Sequence, residues 1–196
     1  MVIGRCAGRG PALVAFGHSW VAGRYPQRWV TPWPVRAARR LGLVVRNEGV
    51  GSSESPDVCA RVQGYRPRRD DVVVVEAMLN DVRRSGLDSR GLARYERSLE
   101  SIVGHLRDSP VRPDTVVLLI DPPIRAWSSY APQDRGGPEA VARFAAVTRR
   151  VAAAHTLRVV DLGVGWRVDR DVCGDGVHPS RAGTRRIARA VVAACA

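Results

Sequence analysis

Four groups in this chain could together carry acyl-transfer chemistry: Ser19, the Gly49–Ser53 turn, Asn80, and the Asp175/His178 pair. A serine hydroxyl becomes a nucleophile when a base takes its proton, and a carboxylate fixes that base's tautomer and stabilises the imidazolium. The oxyanion that develops needs donors aimed at it, each worth on the order of 2.7–4 kcal/mol. A serine, a histidine with an aspartate three residues before it, a side-chain amide and the backbone amides of a glycine turn supply those parts. Each also has a plainer reading. Gly17-His18-Ser19 could be an ordinary strand-to-helix turn, Asn80 a turn residue, and Asp175 with His178 caps of a final helix.

What separates the two readings is where the elements put these residues. Ala12–Phe16 is an apolar run that predicts a first strand, and Leu43-Val44-Val45 a second, ending at Asn47–Ser53. Asp71–Glu76 carries four consecutive valines without alternation, which implies a central parallel strand buried on both faces. Thr115–Ile120 and Leu157–Leu162 predict a fourth and a fifth strand. Helices are expected at Pro32–Leu41, in a short stretch near Ser55-Pro56-Asp57, at Leu92–Leu106, at Glu139–His155 and at Arg181–Ala194. In Leu92–Leu106 one helical stripe holds Leu92, Tyr95, Leu99, Ile102, Val103 and Leu106. Five strands alternating with helices imply an α/β chain with a parallel sheet covered on both faces. In such sheets functional groups gather beyond the carboxyl ends of the strands. Ser19 follows the first strand, the glycine turn the second, Asn80 the third and Asp175/His178 the fifth, so all four share one rim.

In this arrangement the chain resembles the SGNH (GDSL-type) hydrolase family. Gly17-His18-Ser19 is similar to the family's nucleophile block, Asn47-x-Gly49-x-Gly51 to its glycine block, Leu79-Asn80-Asp81 to its Asn block, and Asp175-x-x-His178-Pro179 to its terminal block. The resemblance implies a three-layer α/β/α sandwich, flavodoxin-like, around a parallel sheet of about five strands. It implies Ser19 as nucleophile, His178 as base and Asp175 as the base's partner. The implied oxyanion hole comprises the Ser19 amide, the Asn80 side chain and a glycine-block amide, from Gly51 or Ser52 according to how the block is counted. Three departures stand out. His18 replaces the family's usual aspartate and is either a substitution at a shaped turn or a substrate contact. Met78 and Leu79 stand where the Asn block carries glycine, and are expected to narrow the pocket and make it apolar. Trp20 and Trp127 would join that apolar rim, and Trp127 and Tyr130, in the loop after the fourth strand, are expected to line or cover the substrate pocket.

The expected activity is that of an intracellular esterase, thioesterase or deacylase acting on a small-molecule acyl ester or thioester, with neither metal nor organic cofactor. The alternative is an acyltransferase, in which the apolar rim excludes water in favour of an alcohol or amine acceptor. A third reading is a non-catalytic basic binding module. All 31 basic residues are arginine and the net charge is +12. They are spread along the chain and form no block, so nucleic acid is not the expected partner. The positive field favours an anionic substrate or an acidic carrier. Arg83, Arg84 and Arg125 are expected to be solvated, and most tryptophans, Trp29 and Trp33 among them, to be core. No apolar run reaches the roughly 20 residues of a membrane span. The four cysteines lack CxxC spacing, which argues against a zinc site and a disulfide framework. The chain is expected to be one cytoplasmic domain over residues 1–196, with residues 1–11 a flexible N-terminal segment.

Overall fold

The structure is a computed structural model that describes residues 10–23, 30–128 and 130–195. Strands β1 (Ala12–Gly17), β2 (Val44–Gly49), β3 (Val72–Glu76), β4 (Val116–Ile120) and β5 (Arg158–Asp161) form one parallel sheet in the order β2-β1-β3-β4-β5. Between and after them lie α1 (Ser19–Ala22), α2 (Trp33–Leu41), α3 (Ser55–Gln63), α4 (Leu79–Ser85), α5 (Ser89–Arg107), α6 (Pro138–Ala154), α7 (Val168–Asp171) and α8 (Arg181–Cys195). The strand order reverses between β1 and β3. That switch point opens a crevice at their carboxyl ends, and Ser19 and Asn80 follow those two strands.

Alternation within the strands divides the core in two. Val14, Phe16, Val73, Val75 and Leu118 face α3, α5 and α6, meeting Val58, Tyr95, Leu99, Ile102 and Phe144. Leu13, Ala15, Val74, Val117 and Leu119 face α2 and α8, meeting Trp33, Ala37, Ile187 and Val191. The three inner strands are apolar on both faces because helices cover both. The edge strands β2 and β5 carry polar residues, since only one side of each is paired.

Several boundaries differ from those expected, each for a local reason. β2 runs through Arg46, Asn47 and Glu48 to Gly49 because β1 pairs along it to Gly17, so backbone pairing overrides the polar composition. β3 starts after Asp71, whose carboxylate instead accepts the Ala12 and Arg68 amides and the Tyr65 hydroxyl. α5 begins three residues early because Asp88 caps it, accepting from the Arg90 and Gly91 amides. The stretch after β3, where no helix is expected, is the two-turn helix α4. Of the segment expected to be flexible, residues 1–9 with Cys6 lie outside the described residues, as does Trp29. Gly10 and Pro11 are tied in by bonds from the Arg68 guanidinium and the Val44 amide to their carbonyls.

Candidate active site

β1 must end close against its neighbours for the next residue to reach the rim. A Cβ on Gly17 would lie 2.5 Å from both the Glu76 carbonyl oxygen and the Val21 side chain, so only glycine fits there. His18 then caps α1, its Nδ1 accepting the Trp20 amide at 3.3 Å. Ser19 is the first residue of that helix, which places its backbone amide among the unpaired donors of a helix start. The Ser19 hydroxyl lies 3.0 Å from His178 Nε2, and His178 Nδ1 lies 2.6 Å from Asp175 Oδ2. With Nδ1–H donating to the carboxylate, Nε2 turns its lone pair to the serine hydroxyl. The arrangement can take a proton from Ser19 as the oxygen attacks a carbonyl.

The loop after β5 is built around Asp175. Burial alone would push this carboxyl up, but the donors around it outweigh burial: Cys173 Sγ at 2.9 Å, the Val177 and His178 amides at 2.9 Å each, and the His178 ring. Together they hold Asp175 down at about 2. Burial raises the Cys173 thiol to about 11, and its bond to Asp175 adds to this, so the thiol stays protonated and donating. His178 moves the other way. Burial lowers its pKa below the ordinary imidazole value, and Asp175 only partly offsets this. A base that stays neutral near neutral pH is what proton abstraction requires. From the fourth-strand side, the Arg125 and Ala126 amides donate to the Gly176 carbonyl, and the Arg125 guanidinium to the Cys173 carbonyl.

On the other side of Ser19, Asn47 straddles the end of β2. Its Nδ2 donates to the Val21 carbonyl at 2.8 Å and its Oδ1 accepts the Gly49 amide at 3.0 Å. A Cβ on Gly49 would lie 2.2 Å from the Ala22 nitrogen, so this glycine lets α1 and β2 touch. In the turn that follows, Ser52 has φ +62°, a left-handed conformation uncommon outside glycine. Neither the Gly51 nor the Ser52 amide has a hydrogen-bond partner among the described residues. Asn80, nearly buried in the first turn of α4, donates through Nδ2 to the Ser53 carbonyl at 2.8 Å. This bond fixes the Asn80 amide to the glycine turn and leaves its second N–H available. Asp81 beside it caps α3 by accepting the Ser55 amide and hydroxyl at 2.6 and 2.8 Å.

The expected apolar rim requires correction. Trp20, Met78 and Leu79 are buried in the core at 0 %, 0 % and 1 % exposure. Trp20 stacks on Trp166, and helix formation right after β3 turns Met78 and Leu79 into the two cores. His18 is also fully buried, so it does not contact substrate from this position. Trp127 is partly buried against both cores and lies under Gly136, while Tyr130 is exposed and covers the Arg83 guanidinium at 5.7 Å. Arg83, expected in solvent, is buried beneath that loop, with one side-chain bond to Gln133 and, among the described residues, no partner for Nε or Nη2.

Residue types alone missed a second histidine–carboxylate group. Among the described residues, His18, Glu76 and Asp121 bring potential metal-ligand atoms within 4.8 Å of one another, all fully or nearly buried. His18 Nε2 lies 3.5 Å from Asp121 Oδ2 and 3.9 Å from Glu76 Oε1. A metal-bound imidazole normally donates from its other nitrogen. Here that nitrogen accepts the Trp20 amide, so Nε2 is the nitrogen that carries a proton and has no lone pair for a metal. Asp121 Oδ2 accepts the Leu79 amide at 2.8 Å and Glu76 Oε2 the Trp33 indole N–H at 3.3 Å. Burial, and then the neighbouring Asp121, push Glu76 well above the carboxylate range. A signal for the group exists in the sequence, since Glu76 ends β3 and Asp121 follows β4, both on the functional rim.

The doubly wound parallel sheet thus carries a Ser–His–Asp hydrogen-bond chain at its carboxyl edge. The sequence matches the GDSL-like Lipase/Acylhydrolase family over residues 15–186, and the chain belongs to that family. Solved structures agree on the fold. A lipase/acylhydrolase from Enterococcus faecalis is 21% identical, with a TM-score of 0.73 over 93% of this chain and 94% of that one. TesA is 22% identical, with a TM-score of 0.72 over 93% and 97%. An acetylxylan esterase from Geobacillus stearothermophilus is 21% identical, with a TM-score of 0.70 over 96% and 95%. Compared with curated proteins, the chain matches none. No helix among the described residues is long and apolar enough to cross a membrane.

Proposed function

We propose that this chain is a serine hydrolase that cleaves a carboxylic ester or thioester of a small molecule through an acyl-Ser19 intermediate. The observation that carries the reading is the continuous relay from Ser19 Oγ through His178 to Asp175, at 3.0 and 2.6 Å. His178 Nε2 takes the hydroxyl proton as Ser19 attacks the carbonyl carbon. The Ser19 amide, the Asn80 side chain and a Gly51 or Ser52 amide hold the oxyanion. The same imidazolium returns the proton to the departing alcohol or thiol, and His178 then activates the water that releases the acid. Three of the four residues of the apolar rim that would favour an acceptor other than water, Trp20, Met78 and Leu79, are buried in the cores, which favours hydrolysis.

An anionic substrate or acidic carrier draws support from a cleft of about 730 Å³ whose lining holds five arginines, Arg84, Arg90, Arg94, Arg97 and Arg135, against two carboxylates, Asp88 and Asp134, with Arg84 and Arg94 also paired to Glu54. We read the chain as one hydrolase domain, a reading supported by the extent of the family match. Among the described residues Cys59, Cys173 and Cys195 are free thiols, and we read the chain as cytoplasmic. The test is direct: a fluorophosphonate probe labels Ser19, and Ser19→Ala abolishes both labelling and hydrolysis of p-nitrophenyl acetate. Undiminished esterase activity in that variant would refute the mechanism.

A further inference from the structure

We propose that His18 and Asp121, backed by Glu76, are positioning residues that join the two sides of the oxyanion hole beneath the nucleophile. The inference rests on the hydrolase reading above and adds parts to it. One side of the hole is the start of α1, where the Ser19 amide lies, and His18 shapes that start by accepting the Trp20 amide. The other side is the start of α4, where Asn80 lies, and Asp121 fixes that start by accepting the amide of Leu79, one residue earlier. The two anchors face each other, with His18 Nε2 3.5 Å from the same Asp121 oxygen that holds Leu79.

The tautomer makes this facing pair directional. Because Nδ1 is occupied as an acceptor, the proton on Nε2 can point only into the carboxylate pair. Among the described residues His18 Nε2, Glu76 Oε1 and Asp121 Oδ1 are buried and have no other hydrogen-bond partner, so they face one another. Glu76 reaches the pair from the end of β3 and is itself held by the Trp33 indole of α2. The cluster therefore joins the ends of β1, β3 and β4 at one point. A shift of about 1 Å between the Ser19 and Asn80 sides would misplace the donors by enough to cost roughly a hundredfold in rate. An aspartate at position 18 could also cap α1, but it would set a third carboxylate against Glu76 and Asp121. The histidine supplies the cap and a proton in one side chain.

The experiment separates capping from joining. Asparagine is a good helix cap but has no donor in the place of Nε2. In His18→Asn, kcat for p-nitrophenyl acetate and the rate of fluorophosphonate labelling fall together by about tenfold to a hundredfold, with KM changed less than about threefold and the melting temperature nearly unchanged. Asp121→Asn, which keeps an acceptor for Leu79 but not the charge facing Nε2, falls in the same range. Glu76→Gln costs less than Asp121→Asn. Unchanged kcat in His18→Asn, or a larger loss in Glu76→Gln than in Asp121→Asn, would overturn the proposal. So would one equivalent of tightly held metal in the purified protein. The wild-type protein is tested independently of turnover by long-range ¹H–¹⁵N spectra at neutral pH. His18 in the Nε2–H tautomer supports the join even if no ester is cleaved, which would count against the hydrolase reading alone, and the Nδ1–H tautomer refutes it.

Discussion

Adjacent residues of this chain, His18 and Ser19, belong to two histidine–carboxylate systems whose behaviour is opposite. At the rim, Asp175 is supplied with donors from a thiol, two amides and an imidazole, and it is held at about 2 in spite of its burial. Beneath it, Glu76 has a single donor in the Trp33 indole and a second carboxylate beside it, and its pKa rises well above the usual range. Burial raises the carboxyl in both places, and the count of donors decides which way each one goes. The rim system sets a low-pKa carboxylate against His178 Nδ1, the partner required if His178 is the base. The buried system is the one we propose as a joint.

If the rim system acts through that carboxylate's charge, removing it should give the largest effect. Asp175→Asn should lower kcat by about 10⁴, because the amide favours the wrong His178 tautomer. Steady-state kinetics with p-nitrophenyl acetate measures this, and a loss under tenfold would mean that His178 needs no orientation from Asp175. Asn80→Ala comes next, at about 10² to 10³ in kcat with little change in KM, the range for losing one oxyanion donor. Because Asn80 also holds the Ser53 carbonyl, restoring the amide as glutamine should not recover the activity.

The pH profile tests the same contrast without mutation. His178 must be neutral to act, and its burial places its pKa below the ordinary value of about 6.5. Thus kcat/KM should be flat through neutral pH and fall as pH drops, with a midpoint below 6.5 and a limiting slope of about tenfold per unit. A midpoint above 7 would show that the Asp175 charge outweighs burial at His178. The smallest expected effect is Cys173→Ala. It removes one of several donors to Asp175 and should cost only about threefold in kcat/KM, since a thiol is a weak donor and the two amides and the imidazole remain. A loss comparable to that of Asp175→Asn would show that the thiol fixes the loop and does not merely share in charging it.

Much of the architecture is legible in the residues themselves. The valine run at Val72–Val75, the apolar segments Ala12–Phe16 and Val116–Ile120, and the helical stripe from Tyr95 to Leu106 set the alternating α/β order. With that order comes the rim shared by Ser19, Asn80 and Asp175/His178, because parallel strands put their carboxyl ends on one edge. Chain order and residue type are local properties, and these features depend on nothing else. Burial is not local. Met78 and Leu79 read as pocket walls because they adjoin Asn80, but α4 starts at once after β3 and turns both inward. Trp20 reads as rim because it adjoins Ser19, yet it stacks on Trp166, far along the chain. Arg83 is buried under a loop some fifty residues away in sequence. His18 reads equally well as a turn residue or a substrate contact, and only Glu76 and Asp121, enclosing it from two other strands, separate the two. Sequence determined which side chains could do chemistry and on which edge they stand. Only the packing of β1, β3 and β4 against one another decided which of them meet water and which meet a buried carboxylate, because that depends on neighbours the linear chain does not place together.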